Sequence, residues 1–115
     1  MTLSIAHVTF DCANAIELSK FWSQAIARPV DDGAEPFFAS IGFPSKDDRP
    51  AWLFTQVPEG KSAKNRMHLD LTSDNRDAEV ARLVGLGATE IDQHEEYGHA
   101  WTVMNDPEGN EFCVS

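Results

Sequence analysis

Apolar and polar side chains alternate near the start of the chain, and this alternation predicts a β-strand at about residues 3–12. From Ala6 to Cys12 every second residue is apolar, while His7 and Asp11 lie at positions between them. Successive side chains of a strand point to opposite faces, so the apolar set should pack under a helix. His7 and Asp11 should share the other face.

A helical pattern follows, over about residues 15–26, with Asn14 placed as the N-cap. Its apolar residues recur at the i, i+3, i+4, i+7 spacing of a buried stripe, and they are Leu18, Phe21, Trp22 and Ala25. Apolar runs then predict strands at about 28–32, 36–42 and 51–57. The first half of the chain therefore has the order β-α-β-β-β.

The second half repeats this order. Residues 67–72 repeat the pattern of residues 6–11, with His68 in the place of His7. Residues 58–65 are polar and rich in turn formers, as expected of a linker. After the linker the pattern predicts a strand at 66–72, a helix at about 76–86, and strands near 88–93, 100–105 and 110–115.

Length and composition favour one domain built from both halves. The chain has 115 residues, of which 42% are hydrophobic, enough for one core. Two independent domains of half that length would be only marginally stable. We therefore expect a single domain over residues 1–115, made of a first βαβββ unit (1–57), the linker (58–65) and a second βαβββ unit (66–115).

Charge narrows the class of partner. Nineteen acidic residues against nine basic ones give a net charge of −10, with no basic cluster to neutralise phosphates. A nucleic-acid partner is excluded on this basis, and a neutral or cationic small molecule is favoured. No apolar run is as long as a membrane span and no secretion signal is present, so we expect a cytoplasmic protein without a membrane partner. Cys12 and Cys113 should then be reduced.

The repeated order, His7, His68, the helical stretch 77–83 and the closing Asp-Pro-Glu-Gly-Asn-Glu-Phe at 106–112 together resemble the vicinal oxygen chelate superfamily. Within it the chain is most similar to the small glyoxalase-like and bleomycin-resistance-like proteins. The resemblance implies an α+β fold in which two tandem βαβββ units form a curved sheet. That sheet would be a cup lined by ligands for a divalent metal.

The resemblance implies only part of the metal site. His7 and His68 match two ligand positions of the metal-using members. The last-strand position falls on Cys113, with Glu111 two residues earlier on the same side, and the fourth-strand carboxylate is replaced by Phe54 or Gln56. A set of two histidines with Cys113 would suit zinc or iron, and a set with Glu111 would suit iron(II). We expect either no cofactor or one divalent metal, chosen among zinc, iron, nickel and manganese.

Other side chains are candidates for ligand binding or catalysis. Those expected to contact a ligand in the cup are Asp11, Trp52, Phe54, Gln56, Arg66 and Trp101. Asp70 or His68 could act as a general base. Each has a structural alternative: histidines hydrogen-bonded to nearby acids, tryptophans filling the core, and Cys113 as a small hydrophobe. The acidic run 94–99 is expected to be a hairpin loop or, alternatively, a lid.

Three functional hypotheses follow from these residues. The favoured one is a metal-free protein that binds a small organic ligand. The alternative is a metal-dependent lyase, isomerase or dioxygenase acting on a substrate with vicinal oxygens. A metal-free enzyme using Asp70 or His68 is a third hypothesis. We expect a homodimer in each case.

Overall fold

The computed structural model describes residues 2–45, 47 and 49–115. Within these residues the chain forms seven strands and two helices, which confirms the α+β prediction. They are β1 (His7–Cys12), α1 (Ala15–Ile26), β2 (Phe38–Ile41), β3 (Ala51–Gln56), β4 (Leu69–Leu71), α2 (Arg76–Leu86), β5 (Thr89–Glu96), β6 (His99–Asn105) and β7 (Glu111–Val114). No described helix is both long enough and apolar enough to cross a membrane.

The chain divides into two compact units, and the division falls inside the predicted linker. Unit 1 ends at Gly60, and unit 2 comprises Lys61–Ser115. Unit 1 has the strand order β1-β3-β2 and unit 2 the order β4-β7-β6-β5. In each unit the first strand lies parallel to the last one, β1 to β3 and β4 to β7, while the other pairs are antiparallel. The repeat read from the sequence is therefore also a repeat of topology.

The aromatic core of unit 1 corrects one prediction about strand faces. Trp52 and Phe54 were expected on the same side as His7, but both are buried in the core. The Phe10 ring centroid lies 5.7 Å from Trp52 and 5.3 Å from Phe54, and Trp22 of α1 lies 5.3 Å from Trp52. Their placement on a cup wall was wrong.

The physical reason is the register of β3. The parallel pairing aligns Trp52 with Val8, and it aligns His7 with Ala51. Paired residues share a face, so the tryptophan joins the apolar set beneath the helix. Gln56 is aligned with Cys12 on that same side, and its amide donates a hydrogen bond to the Ala13 carbonyl at 2.9 Å. It too was placed on the wrong face.

The strand predicted at 28–32 is absent. This segment is instead connected to residues 40–43 by hydrogen bonds to the Asp31 carboxylate. Asp31 accepts hydrogen bonds from the Ser40 hydroxyl at 2.7 Å and from the backbone N–H groups of Gly42 and Phe43 at 3.1 and 2.9 Å. Unit 1 therefore has three strands among its described residues rather than four.

The acidic run near residue 95 is part of a long hairpin. It was expected to be a loop, but β5 extends to Glu96 and β6 begins at His99. Only Tyr97 and Gly98 form the turn, with φ of 53° and 77°. Positive φ at both central residues gives the turn the twist that adjacent antiparallel strands require.

The closing motif is a turn built around the buried Asp106. The Asp106 carboxylate accepts hydrogen bonds from the backbone N–H groups of Glu108 and Asn110, at 2.9 and 3.0 Å. Its other oxygen accepts from the Asn110 side-chain amide at 2.9 Å. The motif therefore connects β6 to β7 and sets where β7 begins.

Candidate functional site

A cavity of about 480 Å³ lies on one face of the unit 2 sheet. The pairing of β7 with its neighbours builds this face, because Cys113 is aligned with Asp70 of β4 and with Val103 of β6. The residues that line it include Lys64, His68, Asp70, Trp101, Glu111 and Cys113.

Three of these side chains form a cluster. His68 Nδ1 lies 2.8 Å from Asp70 Oδ1 and 3.9 Å from Cys113 Sγ. One ligand atom from each residue can be chosen so that all three lie within 4.8 Å of one another. The His68 and Asp70 side chains are 41% and 70% exposed, so the cluster is open to solvent. Cys113 alone is buried.

The Cys113 thiol is kept protonated by its surroundings. Burial raises its pKa, the negative charge of Asp70 and a hydrogen bond to that carboxylate raise it further, and the charge of Lys64 acts in the opposite direction. Nucleophilic attack by cysteine requires the thiolate. The surroundings of Cys113 therefore disfavour a role as a nucleophile at neutral pH.

Glu111 points its carboxylate at the start of unit 2 and not at this cluster. One oxygen lies 2.7 Å from the Asn65 backbone N–H, and the other lies 3.0 Å from the Lys61 ammonium. Partial burial raises its pKa, but these two donors outweigh that effect and hold the pKa below its ordinary value. Glu111 was expected as an alternative metal ligand, and the structure engages both of its oxygens elsewhere.

Trp101 supplies an aromatic wall. Its ring centroid lies 5.4 Å from His94, its partner across the β5–β6 pair, and 5.3 Å from His99. Both imidazoles lie at shallow angles to the indole, 23° and 26°. Trp101 was predicted for a wall of the binding site, and it lines the cavity; its contact with a ligand stays a prediction.

The remaining candidates lie elsewhere. His7 and Asp11 are on exposed positions of β1 in unit 1, where the His7 ring lies 5.1 Å from Phe43. Arg66 is exposed and does not line the cavity. A site shared by His7 and His68 stays a prediction, because the two residues belong to different units.

Sequence reasoning missed Lys64. It placed His99 in a hairpin loop or, alternatively, in a lid from which His99 could reach a ligand. Lys64 belongs to a segment interpreted as a linker, and no local pattern distinguishes a linker lysine from a cavity lysine. His99 had a signal, since it shares the alternation of Trp101 and Val103 on one strand.

The donors of the cluster fit a divalent metal of the softer kind. An imidazole nitrogen, a carboxylate oxygen and a thiol sulfur are all ligands that zinc accepts. The fit has a cost, because the thiol must lose its proton before it can bind a metal. Magnesium, which prefers oxygen ligands, fits this set poorly.

Comparison with known proteins gives the family. The family model described as a glyoxalase-like domain matches residues 7–115. The chain belongs to this glyoxalase-like family. The sequence matches no curated protein.

Solved structures share the fold at low identity. A glyoxalase/bleomycin resistance protein/dioxygenase family enzyme of Burkholderia phytofirmans is 20% identical, covers 97% of each chain and superposes with a TM-score of 0.78. The fosfomycin resistance protein FosX of Listeria monocytogenes, complexed with Mn(II) and a dihydroxypropylphosphonic acid, is 9% identical with a TM-score of 0.79 over 99% of this chain and 90% of its own. FosX of Mesorhizobium loti is 12% identical, with a TM-score of 0.74 over 99% and 92%.

Proposed function

We propose that this glyoxalase-like protein binds a small organic molecule with a planar ring in the unit 2 cavity. The observation that carries the proposal is Trp101, whose indole lines a cavity of about 480 Å³ and already stacks with two imidazoles. Stacked rings gain free energy beyond the burial of their area. The cavity size lies within the range of small-molecule sites.

A fluorescent probe tests this function. N-phenyl-1-naphthylamine is neutral and contains a planar naphthalene ring, and its emission rises when it leaves water. Trp101→Ala should weaken its binding by about 1 kcal/mol, or roughly fivefold in the dissociation constant. Trp52→Phe, a change in the core of unit 1, is the matched control and should bind like the wild type. The proposal is contradicted if the wild type binds neither this dye nor its sulfonated analogue, or if Trp101→Ala binds as tightly as the wild type.

A divalent metal enzyme is the second candidate, and the convergence of His68, Asp70 and Cys113 favours it. A bound ion would supply Lewis-acid stabilisation of negative charge on neighbouring oxygens of a substrate. The short contact between His68 and Asp70 is also the arrangement that orients a general base, so this pair is where proton transfer would take place. The substrate class would be a small molecule with vicinal oxygens, and the reaction a lyase, isomerase or dioxygenase step.

Thermal unfolding separates the two candidates. Zinc, nickel, manganese or anaerobic iron(II) added to metal-stripped protein at about 100 times the dissociation constant should stabilise it by roughly 2.7 kcal/mol. The effect should vanish in His68→Ala and persist in His94→Ala, whose imidazole lies outside the cluster. His7→Ala reports whether unit 1 contributes a ligand. No stabilisation by any of the four metals would exclude the metal function.

We also propose that the protein is a cytoplasmic homodimer. The free thiols of Cys12 and Cys113 support a reducing compartment. Sedimentation equilibrium would show a mass of twice 12.7 kDa for the dimer. A mass equal to one chain would refute it.

A further inference from the structure

The charges around the unit 2 cavity differ from those of the whole chain. The net charge of −10 favours a neutral or cationic ligand. Screening at physiological salt limits that general field to about 8 Å, so the nearest groups decide which charge the cavity accepts. Those groups are Lys64, Asp70 and Glu111, together with two histidines.

The Glu111 carboxylate is already neutralised. It forms an ion pair with Lys61 at 3.0 Å and accepts the Asn65 backbone N–H at 2.7 Å. Its side chain is 15% exposed. Glu111 therefore offers little negative charge to a ligand.

The Asp70 carboxylate has a partner as well. It lies 2.8 Å from His68, a contact that becomes an ion pair when the imidazole is protonated. When His68 is neutral, the negative charge of Asp70 still repels an anionic ligand. Removing that charge should therefore have the opposite effect to removing the charge of Lys64.

Lys64 is the cavity cation that has no acidic partner in the described part of the chain. It lines the same cavity as Cys113, and its charge acts on the pKa of that thiol. An ammonium without a partner on an apolar wall can form a strong hydrogen bond to an anionic group of a ligand.

The position of Lys64 depends on Glu111. The segment from Lys61 to Asn65 is held at both ends by this one residue, through the Lys61 ammonium and the Asn65 backbone N–H. The Asn65 side-chain amide also reaches the Glu111 carbonyl at 3.5 Å. Lys64 lies between the two anchors.

We propose that Lys64 determines the specificity of this cavity by selecting planar ligands that carry a negative charge, and that Glu111 is the positioning residue that holds Lys64 on the cavity wall. This inference rests on the proposed function of ligand binding. It narrows the ligand class to aromatic acids, in contrast to the cationic ligand that the net charge favours.

Two dyes that differ by one sulfonate test the inference. N-phenyl-1-naphthylamine is neutral, and 8-anilinonaphthalene-1-sulfonate adds a negative charge to the same ring system. The measured quantity is the ratio of their dissociation constants in each variant. Lys64→Met should weaken sulfonate binding on the order of tenfold and change neutral binding by less than about twofold. Lys20→Met, an exposed lysine on α1, controls for the loss of one charge and should leave the ratio unchanged.

Asp70 and Glu111 provide the second arm. Asp70→Asn should strengthen sulfonate binding, because it removes the opposing charge. Glu111→Gln should shift the ratio in the same direction as Lys64→Met. In a chain that already carries Lys64→Met, Glu111→Gln should add no further shift, a non-additivity that a purely structural role of Glu111 would not produce.

The possible outcomes distinguish the selection of anions by Lys64 from the proposed ligand binding on which it rests. If the wild type binds neither dye, ligand binding itself is refuted, and the inference falls with it. If both dyes bind and Lys64→Met leaves the ratio unchanged, only the selection by Lys64 is refuted. An additive effect of Glu111→Gln would overturn the positioning role alone.

Discussion

Three neighbouring side chains show how local charge sets the reactivity of the site. Asp70 contacts His68, and its charge also raises the pKa of Cys113, whose thiol is buried. The same carboxylate that could orient a base therefore suppresses a nucleophile. This favours binding or proton transfer over covalent chemistry in the cavity.

Alkylation measures this effect. With Cys12→Ala as background, Cys113 should react slowly with iodoacetamide at neutral pH and faster as the pH rises. Asp70→Asn should increase the neutral rate at least about threefold, because the pKa of the thiol falls when the nearby charge is removed. The alkylation rates of the two proteins should converge at alkaline pH, where the Cys113 thiol is ionised in both. A difference that persisted there would indicate altered access instead.

Asp31 predicts a pH dependence of stability. Partial burial raises its pKa, but the Ser40 hydroxyl, two backbone N–H groups and the charge of Arg28 outweigh that effect and lower it. A carboxyl with a lowered pKa in the folded state stabilises the fold above its unfolded pKa. That contribution is lost as the pH falls from about 4 through the folded value.

The measurement is the melting temperature of wild type and Asp31→Asn at several pH values. Asp31→Asn should melt lower than the wild type at neutral pH, and the gap should narrow as the pH falls below about 4. Asp32→Asn removes a neighbouring exposed charge as the control. A gap independent of pH would mean that the carboxylate charge has no part in the stabilisation.

At the scale of elements, both helices begin with the same device. The Asn14 side chain accepts the Glu17 N–H at 3.1 Å, and the Asn75 side chain accepts the Ala78 N–H at 3.1 Å. The helices differ in burial, since α1 buries five residues and α2 only Val80 and Leu83. α2 therefore depends more on its cap and less on packing.

Removing the α2 cap should be costly for this reason. Asn75→Ala should destabilise the fold by about 1 kcal/mol and lower its melting temperature by about 4 °C or more. Asn75→Asp retains the acceptor and should stay close to the wild type. Asn14→Ala provides the comparison for the better-packed helix. Equal melting temperatures for Asn75→Ala and the wild type would show that the cap contributes nothing.

At the scale of the whole molecule, the two units share one topology but differ in their number of strands. The first strand lies parallel to the last in both, while unit 1 lacks the strand that corresponds to β5 among its described residues. All eight residues of β5 are exposed. A unit this short, with one of its four strands fully exposed, has only a small core of its own.

We therefore predict that unit 2 does not fold by itself. Residues 61–115 produced alone should show no cooperative thermal transition by circular dichroism, whereas the full chain should show one. A cooperative transition of the isolated segment would refute the single-domain prediction.

The sequence by itself determined the features that depend on neighbouring residues. The bounds of both helices follow from apolar periodicity and an asparagine cap, and the repeat follows from two similar strand patterns. The family was also evident from local motifs, among them the turn around Asp106. These signals act within a few residues along the chain, so no knowledge of distant contacts is needed to interpret them.

Only the tertiary structure decided which faces and which charges meet. Trp52 lies in the core because parallel pairing with β1 sets the register of β3, and Glu111 turns to Lys61 because the two are brought together from 50 positions apart. Lys64 lines the cavity for the same reason. Register and charge pairing depend on contacts between distant segments, and a pattern of neighbouring residues carries no information about them.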